Sequence, residues 1–194
     1  TTIDASSDIN VNGGQNINMQ AGAQFTVKST GAGIDMTASG GDFTVKSGKN
    51  VGMTANSAVS IKSETGKSTI TAGADIVMTT KANMLVTSSG DTSVTAGSNV
   101  NLQAQSSMTF KSVESTTTIQ AGSDVVVNSG ASASLTAAND VPLTATAGSM
   151  NWNSVANTEI TAGADTIIKA ANNINTQSAT GSTTMISKSQ MTFL

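Results

Sequence analysis

The feature that most constrains the fold of this chain is a repeat of eight residues. In the segment INMQAGAQFTVKS, from Ile17 to Ser29, apolar and polar residues alternate and each run closes on a small residue. The same pattern recurs from Ile3 to Thr192 in consecutive units of eight residues, and six of these units carry a ninth residue. Because successive side chains of a strand point to opposite faces, this alternation predicts short strands with one buried face.

All the units are built in the same way. The first position is bulky and apolar except at Thr176, the third position is always Ala, Gly, Ser or Thr, and a corner such as AGAD, SGKN or AGSN follows. Every Met and Phe and the single Trp fall on inward positions, as core residues would. Helical periodicity is absent, so the sequence predicts an all-β solenoid in which the ninth residue bulges outward at a corner.

The composition excludes several classes of function. The 194 residues include no Cys and no His, which removes disulfides, zinc fingers and imidazole or thiol catalysis. Nine basic residues face twelve acidic ones for a net charge of −3, so we expect no nucleic-acid partner. No stretch of 18 apolar residues and no signal-peptide pattern is present, and we expect no cofactor.

Two kinds of solenoid fit the repeat. One chain can coil alone with three units per turn, or three identical chains can wind around each other. The small third position favours the trimer, because three copies of one residue meeting on an axis must be small, as in collagen. The absence of a visible 24-residue period, of capping segments and of regular spacing between the nine-residue units favours it too. We therefore expect an intertwined homotrimeric triple-stranded β-helix about 110 Å long, against about 38 Å for a lone coil.

The units ITAGADIV, VTAGSNVN, IQAGSDVV and ITAGADTI resemble the repeat of triple-stranded β-helix spikes. These spikes form the C-terminal needle of phage tail-spike lysozymes and of VgrG proteins in type VI secretion. The resemblance covers essentially the whole chain, 1–194, which is expected to be a single β-helical needle domain at the C-terminal end of a larger spike protein. Ala or Ser at the third position, with Gly often at the fourth, departs from the phage pattern and is closer to the VgrG pattern. Phage, type VI and pyocin-like systems all remain open.

The resemblance implies a structural function. The chain would be the cell-puncturing needle of a contractile injection machine, located at a virion tail baseplate or at the secreted tip of a secretion apparatus. Its partners would be two further copies of itself, N-terminal hub or baseplate domains, a PAAR-type tip protein and, transiently, the bacterial outer membrane. The alternative is a single-chain solenoid acting as an adhesin stalk or as a module that binds ice or calcium.

Neither catalysis nor calcium binding is favoured by the pattern of acidic residues. Most carboxylates fall in corners, spread along the chain, whereas a glycosidase needs two carboxylates across one cleft. The segment SGGDFTV, Ser39–Val45, partly echoes a calcium-binding nonapeptide but is not repeated. We therefore expect no enzymatic activity. An ice-binding face would need a flat Thr array, for which the sequence offers one run of four: Thr71, Thr79, Thr87 and Thr95.

Two groups of residues near the C-terminus are candidate sites. The inward positions become polar there, which predicts either a lumen holding water or an ion or a set of hydroxyls bonded to each other and to carbonyls. That group comprises Ser154, Thr158, Thr166, Thr176, Ser178, Thr183 and Ser187. The last residues, Met191, Phe193 and Leu194, would form an apolar end that serves as the platform for the tip protein.

Overall fold

The computed structural model describes residues 2–5 and 9–194 of the chain. Every regular element in this part is a strand of three to six residues. In chain order the strands are β1 (Thr2–Ala5), β2 (Ile9–Gly13), β3 (Ile17–Ala21), β4 (Gln24–Ser29), β5 (Ile34–Ala38), β6 (Phe43–Ser47), β7 (Asn50–Ala55), β8 (Val59–Ser63), β9 (Ser68–Ala72), β10 (Ile76–Thr80), β11 (Met84–Ser88), β12 (Thr92–Ala96), β13 (Val100–Ala104), β14 (Met108–Ser112), β15 (Thr117–Ala121), β16 (Val125–Ser129), β17 (Ala133–Ala137), β18 (Val141–Ala145), β19 (Met150–Ser154), β20 (Thr158–Ala162), β21 (Thr166–Ala170), β22 (Ile174–Ser178), β23 (Thr183–Ser187) and β24 (Met191–Phe193).

The strands form three parallel sheets of eight strands each, and each strand pairs with the strand three places along the chain. Sheet I runs β1-β4-β7-β10-β13-β16-β19-β22, sheet II runs β2-β5-β8-β11-β14-β17-β20-β23, and sheet III runs β3-β6-β9-β12-β15-β18-β21-β24. The predicted all-β solenoid is therefore confirmed. In this structure one chain makes the coil, with three strands to each turn.

The nine-residue units lengthen the corners and leave the strands in phase. Each of the six has a corner of four residues, for example residues 64–67 between β8 and β9. Paired residues lie 24, 25 or 26 positions apart, as in Met84 with Met108, Val59 with Met84, and Ile17 with Phe43. The predicted position of the ninth residue at a corner, with no change in the inward register, is confirmed. The irregular spacing of the nine-residue units, an argument for the trimer over a lone coil, does not put this coil out of register, because the corners absorb the extra residue.

The core is a single column of side chains enclosed by the three sheets. Inward residues along each strand alternate with outward ones, and one continuous cluster of buried hydrophobic residues extends from Phe25 to Ile168. The largest members are Trp152, Phe43 and Phe110, all 1% exposed or less. Burial of this apolar surface is the main favourable contribution to folding.

The small third position lies at the end of each strand, directly before the corner. Where it is Ser, its hydroxyl in several turns donates to a carbonyl of a neighbouring corner, as from Ser47 to Ala23 O at 3.2 Å and from Ser129 to Ser106 O at 2.6 Å. Where it is Ala, as at Ala96 and Ala121, the methyl group is buried. A larger side chain at this position would meet the corner backbone, which explains the restriction to small residues within one coil.

Candidate functional site

The acidic side chains of the corners accept hydrogen bonds from backbone N–H groups. The side chain of the residue that precedes a strand accepts a hydrogen bond from the backbone of the equivalent residue one turn on. At one corner the N–H of Asn99 donates to Asp75 Oδ1 at 3.0 Å, that of Asp124 to Asn99 Oδ1 at 3.2 Å, and that of Ser149 to Asp124 Oδ1 at 2.7 Å. Such a column satisfies amides that the sheets leave unpaired.

The carboxylate of Asp42, in the segment Ser39–Val45 that partly resembles a calcium-binding repeat, takes part in the same kind of hydrogen bond. Asp42 Oδ1 accepts from Lys67 N at 2.8 Å, while the N–H of Asp42 donates to Asn16 Oδ1 at 3.1 Å. Among the described residues, no group of three or more His, Cys, Asp or Glu side chains is placed to hold a metal ion.

Asp91 has the most elaborate surroundings of the corner carboxylates. Its Oδ2 lies 2.8 Å from Lys67 Nζ, and its Oδ1 accepts from the Ser115 hydroxyl and from Thr116 N at 3.4 Å. The hydrogen bonds from Lys67 and Ser115 hold the pKa of Asp91 below its ordinary value, and the Asp91 carboxylate raises the pKa of Lys67. An ionised, fully bonded carboxylate on a convex corner has the character of a structural ion pair.

The polar residues of the interior form two groups. Ser154 Oγ lies 2.9 Å from Thr158 Oγ1 and 3.3 Å from Ser178 Oγ, and Ser178 Oγ lies 3.3 Å from Thr183 Oγ1 and donates to Ser182 O at 2.8 Å. These hydroxyls therefore bond to each other and to a carbonyl.

The other polar interior residues lie close by. Ser187 Oγ donates to Thr166 Oγ1 at 2.7 Å, and Thr176 is the partner of Trp152 on sheet I. Nε1 of Trp152 is buried and has no hydrogen-bond partner among the described residues. Ser154, Thr158 and Thr166 are buried, Thr176 and Ser178 are half-buried, and Thr183 is exposed.

The C-terminal platform residues lie on the last strand. β24 pairs with β21, with Met191 beside Thr166 and Phe193 beside Ile168. Leu194 continues the ladder, since its N–H donates to Ile168 O at 3.0 Å. Met191, Phe193 and Leu194 are 37%, 50% and 65% exposed. The structure thus places the three predicted residues beside β21 at the last strand of sheet III, where all three are exposed.

The Thr run suggested for an ice-binding face is divided among the three sheets. Thr71 and Thr95 are neighbours on sheet III, Thr79 is on sheet I, and Thr87 is on sheet II. The four residues therefore do not form one flat array.

A row of amide side chains on the outer face of sheet I was not predicted from the sequence. Residues Gln103, Asn128, Asn153 and Gln177 are consecutive partners in the ladder. Asn153 Nδ2 donates to Asn128 Oδ1 at 3.1 Å. We call these four residues the amide row. Their common position in successive turns could be found from the sequence only with the 24- or 25-residue turn already known.

A groove of about 650 Å³ follows the amide row where the strands enter the next corner. Besides the row it is lined by the strand-end residues Ala104, Ser129 and Ser154 and by the corner residues Gln105, Gly130, Val155 and Ala179. Val155 is 47% exposed. The lining contains no charged side chain.

Comparison with known proteins adds no relative: no family model matches the chain, and no curated protein or solved structure is significantly similar to it. In the part of the chain that the structure describes, no helix is long and apolar enough to cross a membrane.

Proposed function

We propose that this chain is the rigid shaft of a cell-puncturing spike in a contractile injection machine, with no catalytic role. The observation that carries the proposal is the unbroken succession of short strands, with connections of only two to four residues between the described strands from β2 onward. A rod whose backbone groups are paired throughout, and which has no long loop, resists bending and transmits axial force. The resemblance of the eight-residue units to the repeat of injection-machine spikes supports the same function.

The outer surface fits passage through a bacterial outer membrane. Three exposed large hydrophobic residues, Val77, Leu85 and Ile167, lie on three different sheets. Scattered single apolar residues do not make a lipid-binding patch. The baseplate or secreted location, and the attachment to hub domains, are parts of this proposal.

The working assembly we propose is an intertwined homotrimer. The inward and outward positions of each unit would be the same in the trimer as in the single coil. The two arrangements differ in which strands are neighbours. In the trimer, a strand would pair with the next strand of another chain. The strand three places on in its own chain would lie three strand spacings (three rungs) away, about 14 Å.

Paired cysteines distinguish the two arrangements, and the chain has no Cys of its own. Ser60 and Leu85 are outward partners on sheet II. Adjacent rungs are within reach of a disulfide, whereas residues three rungs apart are not. In the trimer, Ser60→Cys with Thr69→Cys should oxidise to a covalent species of three chains, each of 19.3 kDa, while Ser60→Cys with Leu85→Cys stays unlinked. An internal link in the second variant and none between chains in the first would overturn the trimer.

We propose that Met191, Phe193 and Leu194 bind a PAAR-type tip protein. Their exposure at the end of the core column supports this, because exposed apolar groups commonly mark interfaces. In a pull-down with the tip protein encoded beside this chain, Phe193→Asp should abolish capture. Val113→Asp, at a corner residue 51% exposed, is the matched control and should leave capture unchanged. Equal capture by both variants would refute the platform.

A second candidate function is supported by the pairing within one chain. A single solenoid that completes its own core needs no further copy and presents its outer faces as binding surfaces. The amide row and its groove are the feature that favours this candidate, and the internal disulfide described above is the result it predicts.

A further inference from the structure

We propose that the groove along the amide row binds a neutral oligosaccharide. This inference rests on the second candidate function, because the four amides are consecutive rungs only when strands pair within one chain. It concerns the outer face of sheet I from β13 to β22, and it is an alternative to the homotrimer proposed above, in which these strands would not be neighbours.

The amide row offers a repeated set of hydrogen-bonding groups. One carboxamide projects from each rung, so the groups recur every ~4.8 Å along the axis of the solenoid. Each has two N–H donors and an acceptor oxygen, and the bond from Asn153 to Asn128 uses only one donor and one acceptor lone pair of that pair. No hydrogen bond joins the side chains of Gln103 or Gln177 to the described residues. Vicinal hydroxyls, which both donate and accept, are the natural complement of such a row.

Charge and shape narrow the class of ligand. The lining has neither Lys nor Asp nor Glu, so no group in the groove compensates a charged ligand. The exposed residues Val155 and Ala179 supply aliphatic surface that can cover the C–H faces of sugar rings. The volume of about 650 Å³ lies within the range of ~300–1,000 Å³ usual for small-molecule sites.

The shape of the groove depends on a close contact at its corner. A Cβ at Gly130 would collide with the carbonyl oxygen of Gln105, one turn earlier. Glycine at this position lets consecutive turns approach closely beside the amide row, and leaves no side chain to fill the groove.

The test uses the full chain with maltohexaose and cellohexaose as probes, observed by saturation-transfer NMR and titration calorimetry. The wild-type chain should bind one of these sugars, and Asn153→Ala with Gln177→Ala should weaken that binding at least tenfold. Gln120→Ala removes an exposed amide on sheet III outside the groove and should bind like wild type. Val155→Arg, which introduces a bulky side chain at the groove, should also abolish binding.

Three results would overturn the site: no signal from either sugar at millimolar concentration, equal binding by the double variant and wild type, or capture of a Gly-Ser hexapeptide in place of both sugars. The double variant Ser60→Cys with Leu85→Cys distinguishes failure of the sugar site from failure of the single-coil arrangement. If their internal link forms and no sugar binds, the glycan site fails while the single coil stands. If the link does not form, the arrangement on which the site depends is absent.

Discussion

At the residue scale, a column of glycines shows how closely successive turns approach. Gly48, Gly73, Gly97 and Gly122 occupy the same corner in consecutive turns, each directly after a strand of sheet III. A Cβ on Gly97 would collide with the carbonyl oxygen of Gly73, and the same collision recurs at Gly122 with Gly97. No described glycine has a positive φ. These glycines are required by close approach and not by backbone conformation.

Replacing Gly97 by Ala should therefore destabilise the fold by about 1–3 kcal/mol, the usual cost of overpacking. The matched control is Gly22→Ala, at the first glycine of the same corner, where an added Cβ meets nothing within 4 Å. Urea unfolding followed by circular dichroism measures both variants. Equal midpoints for the two variants would show that the collision relaxes without cost.

The burial of the large apolar residues was predictable from the sequence. The inward phase of Met, Phe and Trp follows from the two-residue period alone, and Met150 and Trp152 are buried as predicted. The role of the acidic residues was not predictable. Asp75 and Asn99 are 24 residues apart, and nothing in the local sequence shows that one side chain bonds the other's amide.

At the element scale, corner residues take part in both ion pairs between described residues, Lys62 with Glu64 and Lys67 with Asp91. The second links corners of successive turns on one edge of the solenoid. Because the pKa of Asp91 is lowered by folding, the ionised form stabilises the folded state.

The sign of the pH dependence follows from this direction. The contribution of Asp91 is fully present above the carboxyl's ordinary pKa and is lost as the pH falls through the lower folded value. Asp91→Asn should therefore lower the urea midpoint modestly at neutral pH, and the difference from wild type should shrink as the pH falls below the ordinary carboxyl pKa. Asp35→Asn, at an exposed carboxylate without an ion pair in the described residues, is the control. A difference that persists unchanged in acid would point to packing rather than charge.

At the scale of the whole molecule, the repeat makes length a modular property. Stability in such quasi-one-dimensional folds is a sum over neighbouring units. Met84 and Met108 are equivalent positions one turn apart. Deletion of residues 84–107 should therefore give a folded, shorter rod with the same far-ultraviolet circular dichroism per residue. Deletion of residues 84–95, half a turn, breaks the frame of corner and strand and should abolish cooperative unfolding. A folded half-turn variant would contradict this account.

The partner of each strand was the part of the whole-molecule architecture that the sequence left undetermined. All the units share one pattern, so a strand such as β8 can pair equally well by pattern with the next unit of another chain or with β11 of its own. The buried face is the same in both cases, and hydrophobic periodicity reports only which face is buried. The pairing partner of a strand and its register depend on whether the turn is completed by the same chain or by another chain, and hydrophobic periodicity is the same in both cases.

The variable corners have a consequence for how proteins of this type diverge. A residue gained or lost at a corner changes the turn by one position, and the strands on either side keep their faces, as the turns of 24, 25 and 26 residues show. The same change inside a strand would turn its apolar side chains outward. Descendants of one ancestral sequence can therefore drift in length at any of the corners while their interior columns stay aligned. The relationship between such proteins would therefore be easier to detect from their equivalent inward positions in the structure than from the spacing of residues in their sequences.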